Sequence, residues 1–221
     1  MPSLLPWARA LALRLLEPAC VRCRLPAGDL GLCPACAAEL QAAPVPAAAD
    51  DDPAPVRAAL RWGPACAPLL RRYKFHGDLA AGAALGRLAL PGLRPLPRPA
   101  LLVPVPLHPA RLRQRGHDQA LVLARLWARA LALPLAAGGL RRVLDSRPQT
   151  RLSASARRRN LLGAFRAEIA MPSSVALVDD VLTTGSTARA AVAALQDAGA
   201  REVQVWVLAR APGRGAQATI R

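Results

Sequence analysis

Apolar positions in the last quarter of the sequence predict a strand, a loop, a helix and a second strand. Residues 175–178 form a short apolar run rich in valine, which is typical of a strand buried on both faces. An alanine-rich stretch follows a small polar loop and ends near Ala198, where Gly199 marks the end of a helix. Residues 202–208 are again rich in valine and predict the next strand. Together these elements predict a βαβ unit with parallel strands.

Earlier in the chain, the same pattern predicts a core strand and two amphipathic helices. Residues 101–106 are apolar and punctuated by proline, so this strand should end in a sharp turn. Residues 119–133 and residues 4–16 place apolar side chains at helical spacing. The longest stretch without a charged residue has 12 residues and holds four prolines, whereas a membrane-spanning helix needs about 20 apolar residues. We therefore expect an α/β protein that has no membrane span and resides in the cytoplasm.

The charge of the chain is strongly positive and unevenly distributed. Its 221 residues include 30 Lys or Arg and 14 Asp or Glu, which gives a formal net charge of +16. Residues 101–166 hold 13 basic and 2 acidic side chains. Because this excess is local, the segment is predicted to face an anionic partner, for which nucleic acid, anionic lipid and a small polyphosphate are candidates. Hydrophobic residues make up 53% of the chain, which argues against an intrinsically disordered class.

Four cysteines near the start of the chain have the spacing of a metal site. Cys20 and Cys23 form one C-x2-C pair, and Cys33 and Cys36 form another after nine intervening residues. Two such pairs bring four thiolates onto one tetrahedral Zn²⁺, and a closed site of this kind is structural rather than catalytic. Two disulfides are the alternative, which a reducing cytoplasm disfavours, and iron is an alternative occupant. The fifth cysteine, Cys66, is expected to be a small buried apolar residue.

The composition along the chain predicts three segments. Residues 1–45 hold the N-terminal amphipathic helix and the cysteine pairs, which need a metal to fold because so few residues cannot build a core alone. Residues 46–100 begin with a stretch rich in Ala, Pro and Asp. We interpret them as a linker followed by a connector that forms a hood over the ligand site of the main domain. Residues 101–221 hold the core strand and the βαβ unit, and we interpret them as the main domain.

The loop between the strand and the helix of the βαβ unit carries the most specific chemistry. Such a loop points backbone N–H groups and the positive end of the helix dipole at an anion, and a glycine lets a phosphate approach closely. Its residues are Thr183, Thr184, Gly185, Ser186 and Thr187. The acidic pair before the loop, Asp179 and Asp180, would repel a phosphate, so it suits ribose hydroxyls or a hydrated Mg²⁺ carried by a pyrophosphate. The pattern favours a sugar phosphate site over an ordinary strand-to-helix turn, which leaves the acidic pair unexplained.

The run VALVDDVLTTGST closely resembles the motif with which type I phosphoribosyltransferases bind phosphoribosyl pyrophosphate (PRPP). The cysteine pairs and the segments VPVPLHPARLRQRGHDQA and RPQTRLSASARRRNLLGAF narrow the resemblance to the ComF family, and it covers essentially the whole chain. The resemblance implies a type I phosphoribosyltransferase-like parallel sheet flanked by helices, with a small N-terminal zinc knuckle. It also implies Mg²⁺-dependent transfer of the ribosyl phosphate of PRPP to an unidentified nitrogen nucleophile, with release of pyrophosphate.

The resemblance also implies roles for particular residues. The acidic pair would contact the ribose and act in catalysis together with Arg115, and the loop would hold the 5′-phosphate. Arg115 alternates with Arg111 and Arg113, and Arg113 and Arg115 would neutralise charge as pyrophosphate departs. A loop that closes over the reaction centre would contribute further contacts: Gln149, Arg151, Arg157 and Asn160. The segment YKFHGD resembles a family segment and would line the acceptor end of the site, although a packed helix end explains it equally well: Tyr73, Lys74, Phe75, Gly77 and Asp78.

Two further alternatives stay open at this stage. The family pattern has an aromatic residue and Asn where this sequence has His117 and Asp118. His117 could stack or donate a hydrogen bond there, or the two residues could simply begin a helix as a surface His and a first-turn acid. The other alternative concerns function, because ComF proteins are associated with natural transformation. In it the chain is a non-enzymatic competence factor that binds single-stranded DNA or partners of the uptake machinery, and its PRPP site is degenerate or only senses a ligand.

Overall fold

The computed structural model describes residues 18–41, 52–94, 97–143 and 163–211 of the chain. Its helices are α1 (Pro34–Gln41), α2 (Ala67–His76), α3 (Leu79–Leu93), α4 (Pro109–Arg115), α5 (Gln119–Leu131) and α6 (Ser186–Asp197). Its strands are β1 (Val56–Arg61), β2 (Leu101–Pro104), β3 (Leu140–Arg142), β4 (Phe165–Ala167), β5 (Ser174–Leu182) and β6 (Glu202–Arg210). Among these helices, none combines the length and the apolar character that a membrane crossing needs.

Four strands form one parallel sheet in the order β1-β6-β5-β2. Strands β5 and β6 lie in the centre and are rich in apolar residues, because the sheet is covered on both faces. Val205 in β6 is aligned with Val56 of β1 on one side and with Leu177 of β5 on the other. The prediction of an α/β protein with a parallel sheet flanked by helices is confirmed. Strands β3 and β4 add a separate antiparallel pair.

Alternating side chains of the sheet enter two separate cores. On one face, Ala176 and Val178 of β5 pack in a cluster with side chains of α2, α3 and α5 and with the N-terminal cysteine segment. On the other face, Val175 and Leu177 pack in a cluster with α6 and the β3–β4 pair. The indole N–H of Trp127 donates a hydrogen bond of 2.9 Å within the first core. The cysteine segment is therefore part of the helical layer on one face of the sheet.

Some boundaries differ from the sequence-based expectations. Strand β1 lies in the segment 46–100, whose composition indicates a linker and connector, and it becomes a strand by pairing with β6. Strand β5 continues to Leu182, so the acidic pair lies within the strand and not after it, because pairing with β6 extends that far. Helix α5 ends at Leu131, since Ala132 adopts a left-handed conformation with φ 50°. The helix predicted over residues 4–16 lies outside the described residues.

Candidate functional site

A cleft opens where strands β2 and β5 end and helix α6 begins. The loops at the carboxyl ends of parallel strands meet at one edge of a sheet, which is where open α/β proteins place their ligands. The cleft is lined by Lys74, residues 105–107, Arg111, Arg115, residues 118–120, Arg142 and residues 179–188. Four of these side chains are cationic and three are carboxylates. The cleft therefore suits a ligand that carries both anionic groups and hydrogen-bond donors.

The predicted phosphate loop forms one wall of this cleft. Gly185 is buried, has a left-handed conformation with φ 69° and precedes Ser186, the first residue of α6. Glycine adopts this conformation without the strain that a side chain would bring. The hydroxyl oxygens of Thr184 and Ser186 lie 3.0 Å apart. The first N–H groups of a helix have no partner within it and lie at the positive end of its dipole, so the loop presents the donors that an anion needs.

The acidic pair faces the same cleft and is already paired with a cation. Asp180 is 5% exposed. Lys74 of α2 places its Nζ atom 2.9 Å from Asp180 Oδ2 and 3.1 Å from Asp180 Oδ1. Burial and the charge of Asp180 raise the pKa of Asp179 to about 8, although Lys74 acts in the opposite direction. The pair thus carries less negative charge than two ordinary carboxylates.

Contacts between α2 and the start of α5 hold Lys74 in this position. The Tyr73 hydroxyl donates to the Gln119 carbonyl at 2.6 Å, and the Gln119 side-chain amide donates to the Lys74 carbonyl at 3.1 Å. His117 Nε2 lies 2.9 Å from the Tyr73 carbonyl oxygen, and the two rings are 5.6 Å apart. Tyr73 is fully buried against Gly82, where a Cβ atom would lie 2.3 Å from two ring carbons. We call the contacts of Tyr73 and Lys74 with His117 and Gln119 the α2–α5 clamp.

The four N-terminal cysteines come together as their spacing predicts. Their Sγ atoms all lie within 4.8 Å of one another, and no disulfide joins them. The Sγ atoms of Cys23 and Cys33 are 3.6 Å apart, close to the ~3.8 Å that tetrahedral Zn–S bonds of about 2.3 Å require. Arg22 lies 3.7 Å from Cys36 Sγ and is also paired with Glu39. The cluster could hold one zinc ion, and the unpaired thiols argue against the disulfide alternative.

Comparison with curated proteins finds relatives over about two thirds of the chain. The chain is 37% identical over 153 residues to competence protein F of Haemophilus influenzae, an alignment that covers 65% of this chain and 67% of that protein. The chain belongs to the ComF family. This ComF protein is also 35% identical over 156 residues to the DNA utilization protein YhgH of Escherichia coli, covering 67% of this chain and 69% of the relative. It is 28% identical over 159 residues to competence protein ComFC of Streptococcus pneumoniae, covering 70% of this chain and 67% of the relative. No family model matches this chain.

Helix α4 of this ComF protein places its arginines differently from the expectation. Arg113 is exposed and does not line the cleft, whereas Arg111 and Arg115 do. Residues four apart share one face of a helix, while alternating residues share a face only on a strand. The sequence holds the signal for this helix, because Pro109 stands in its first turn and Gly116 ends it with φ 75°. Of the three arginines of α4, Arg111 and Arg115 therefore line the cleft and Arg113 does not.

Of the five residues predicted at the acceptor end, all within the described ranges, Lys74 alone lines the cleft. Tyr73 belongs to the α2–α5 clamp. Gly77 ends α2 with φ 65°, and Asp78 caps the N-terminus of α3. Phe75 is 61% exposed, and the guanidinium of an α4 arginine lies 5.2 Å from its ring centroid. The helix end therefore contributes the Lys74 side chain to the cleft, while Tyr73, Gly77 and Asp78 take structural positions.

The remaining predicted residues take structural positions or lie outside the described part of the chain. Asp118 caps α5 by accepting a hydrogen bond from a backbone N–H at 3.0 Å, and a second N–H donates to it at 3.1 Å. His117 belongs to the clamp and is not a simple surface residue. Arg142 lines the cleft although nothing in its sequence context marks it, because its strand is placed by pairing with β4. The predicted loop residues are not described: Gln149, Arg151, Arg157 and Asn160.

Proposed function

We propose that this ComF protein binds PRPP in the cleft and transfers its ribosyl 5′-phosphate to a nitrogen nucleophile, with release of pyrophosphate. One observation carries the proposal: the phosphate loop, the acidic pair and two arginines of α4 line the same cleft. Each group suits one part of PRPP. The N–H groups of α6 suit the 5′-phosphate, the carboxylates suit the ribose hydroxyls, and Arg111 and Arg115 suit the pyrophosphate.

In this proposal the arginines act on the step in which the bond to pyrophosphate breaks. The nitrogen nucleophile bonds to C1 of the ribose while the C1–O bond breaks, the electron pair leaves with pyrophosphate, and the proton of the nucleophile passes to solvent. Cations aimed at the departing oxygens stabilise the charge that develops there. Mg²⁺ is proposed to enter as part of the substrate, bound to pyrophosphate oxygens. Gln149, Arg151 and Arg157 are proposed to belong to a loop that excludes water from the reaction centre.

Titration with PRPP and Mg²⁺ tests the binding proposal. The double variant Asp179→Asn/Asp180→Asn is compared with the wild type and with Asp197→Asn, which removes an exposed carboxylate at the far end of α6. We expect the double variant to bind at least about tenfold more weakly, because a single hydrogen bond to a charged group such as the Asp180 carboxylate contributes about 1.5–3 kcal/mol. The affinity of Asp197→Asn should stay at the wild-type value. Equal binding by the wild type and the double variant would reject the sugar phosphate site.

Pyrophosphate release tests whether the bound PRPP reacts. The protein is incubated with PRPP, Mg²⁺ and one nitrogen nucleophile at a time, drawn from nucleobases, amines and amides. Transfer predicts release that requires one class of nucleophile and disappears when Arg115 is replaced by alanine. Release at the same rate with and without every nucleophile would indicate hydrolysis and would contradict the transfer reaction.

The names of the relatives, competence protein F and DNA utilization protein, lead us to include a competence-linked role in the proposal. A cytoplasmic location is part of the same proposal, because the thiol state of the cysteines suits a reducing compartment. Deletion of the gene in a naturally transformable host should lower transformation by linear DNA. Complementation with the double variant of the acidic pair would show whether the sugar phosphate site serves this role.

A second candidate function, binding of single-stranded DNA, follows from a basic surface outside the cleft. Helices α3 and α5 contain no acidic residue, and exposed arginines lie along both helices and at the C-cap of α3: Arg87, Arg94, Arg125 and Arg129. Such a surface suits a phosphate backbone. The affinity for single strands should then fall with salt at a log–log slope of about −0.7 per phosphate contact. Replacing these arginines by alanine should flatten the slope, and a flat response of the wild type would reject DNA binding.

A further inference from the structure

The acidic pair of the proposed sugar site is held by a lysine from a distant part of the chain. Lys74 is the single lysine among the 221 residues. Its ammonium contacts both carboxylate oxygens of Asp180, at 2.9 and 3.1 Å, while its side chain is 30% exposed. The α2–α5 clamp holds the backbone carbonyls of Tyr73 and Lys74. The lysine is therefore a built component of the site.

We infer that Lys74 determines the specificity of the acidic pair: it keeps the pair from holding a bare divalent cation and leaves it open to hydroxyl groups. The inference rests on the proposed function, because the hydroxyls in question belong to the ribose of PRPP. It also decides between the two ligands that Asp179 and Asp180 suit on chemical grounds, a ribose and a hydrated Mg²⁺.

The charges around the pair do not fit a resident Mg²⁺. A divalent cation needs carboxylate oxygens, and Mg²⁺ lies about 2.1 Å from each ligand. At Asp180 the Lys74 ammonium already contacts both carboxylate oxygens, in the place that a metal ion would need. Asp118, the third carboxylate of the cleft, accepts hydrogen bonds from two backbone N–H groups, so both of its oxygens already have partners. Burial raises the pKa of Asp179 to about 8, so this carboxyl favours its neutral form at neutral pH.

The hydroxyl groups of a ribose can bind to Asp180 without displacing the Lys74 ammonium. A carboxylate has about four lone-pair sites. At Asp180 two of them face Lys74 and a third accepts the backbone N–H of Val181 at 2.8 Å, so one site is left for a ribose hydroxyl. A divalent ion would instead share the carboxylate with a like charge a few ångströms away. The ammonium has three N–H donors, and two of them point to the Asp180 oxygens. The third N–H can donate to an oxygen of the ligand. The same lysine thus opposes a metal ion and assists a sugar phosphate.

Titration with Mn²⁺, in the absence of any phosphate ligand, tests the inference. Free Mn²⁺ is measured by electron paramagnetic resonance in the zinc-loaded, full-length protein. Lys74→Met removes the ammonium and is expected to bind Mn²⁺ at least about tenfold more tightly than the wild type, because the like charge at Asp180 is gone. Arg57→Met removes an exposed positive charge of β1 and should match the wild type. The double variant Lys74→Met/Asp180→Asn should lose the gain.

Two outcomes of this titration would overturn the inference. One is equal Mn²⁺ affinity in Lys74→Met and the wild type. The other is tight binding that persists in the double variant, because the ion would then lie away from the acidic pair.

Chemical labelling provides a measurement that uses no variant of Lys74. Because the chain has one lysine, acylation of its ε-amine by an N-hydroxysuccinimide ester, followed on the Lys74 peptide by mass spectrometry, reports the ion pair. Asp180→Asn should raise the acylation rate several-fold, whereas Asp197→Asn should leave it unchanged. Equal rates in Asp180→Asn and the wild type would show that the carboxylate does not hold the ammonium, and the inference would fail.

Ribose 5-phosphate, titrated without metal, separates this inference from the proposed function. If the wild type binds ribose 5-phosphate and Lys74→Met gains no Mn²⁺ affinity, the role of the lysine is wrong and the sugar site stands. If the wild type does not bind ribose 5-phosphate, the proposed function is wrong, whatever the Mn²⁺ titration gives.

Discussion

Replacing Gly82 by alanine should destabilise the protein and disturb Lys74 at the same time. A Cβ atom at Gly82 would lie 2.3 Å from two ring carbons of Tyr73 and 2.8 Å from a third, whereas carbon atoms pack at about 3.5–4.0 Å. The ring has no room to retreat, because Tyr73 is fully buried and its hydroxyl is bonded to the Gln119 carbonyl. The new methyl group therefore has to push α2 away from α3.

The expected change in the free energy of unfolding is the sum of two unfavourable contributions and one favourable contribution. Overpacking of this kind costs about 1–3 kcal/mol, and the loss of the tyrosine hydrogen bond costs about 1 kcal/mol more. The higher helix propensity of alanine offsets about 1 kcal/mol. We therefore expect Gly82→Ala to lower the free energy of unfolding by about 1–3 kcal/mol, measured by urea unfolding with tryptophan fluorescence. Gly92→Ala is the matched control in the same helix, and with open space around it should raise stability by up to about 1 kcal/mol.

The same pair of variants also tests the link from core to site. Because Lys74 follows Tyr73 directly, displacement of α2 should raise the acylation rate of the Lys74 amine in Gly82→Ala and leave it unchanged in Gly92→Ala. Tyr73→Leu should relieve the overlap, so the double variant should cost less than the two single changes added together. A free energy of unfolding for Gly82→Ala at or above the wild-type value would refute the steric reasoning.

The arginines, the cysteine cluster and the acidic pair each yield a further expectation. Arg111→Ala should weaken PRPP binding in a calorimetric titration, whereas Arg113→Ala should not, and equal losses would contradict the helical placement of these residues. Zinc removal by a chelator, or Cys33→Ser, should lower the Tm because the cysteine segment packs into the helical core, and an unchanged Tm would show that the metal adds nothing to the fold. Burial and Asp180 raise the pKa of Asp179 to about 8, so the folded state keeps a proton that the unfolded chain releases near pH 4. Stability should therefore fall as pH rises from about 4 to 8, and Asp179→Asn should flatten that decline; an equal slope would contradict it.

The parts of the protein that sequence predicts well are those whose signals are local. The βαβ unit is predicted by two apolar runs, a glycine-containing loop and a glycine at the end of the helix, all within about thirty-five residues. The cysteine cluster depends on spacing alone, and the structure brings all four Sγ atoms within 4.8 Å of one another. Pro109 and Gly116 are local signals of the same kind, because they mark helix α4, on which Arg111 and Arg115 share the face that lines the cleft.

The parts that sequence does not predict depend on partners far away in the chain. Lys74 and Asp180 are 106 residues apart, so neither position reveals the ion pair. Strand β1 has a mixed composition with exposed residues at two of its six positions, and only its pairing with β6 makes it a strand. Arg142 reaches the cleft because β3 pairs with β4, where it is aligned with Phe165 across a much shorter gap in sequence.

The pairing of β1 with β6 also constrains the order in which the chain can mature during synthesis. The ribosome delivers β1 early, but Val56 has no partner until Val205 has been made. The helical layer and the cysteine segment can collapse first, and β5 can pair with β2. One edge of β5, like β1, still has no partner until β6 has been made. A nascent chain stalled before β6 exposes two unpaired strand edges, which are templates for aggregation. We therefore expect a chain stalled before β6 to aggregate more readily than the complete protein, because the strand that fills the middle of the sheet is made after both of its neighbours.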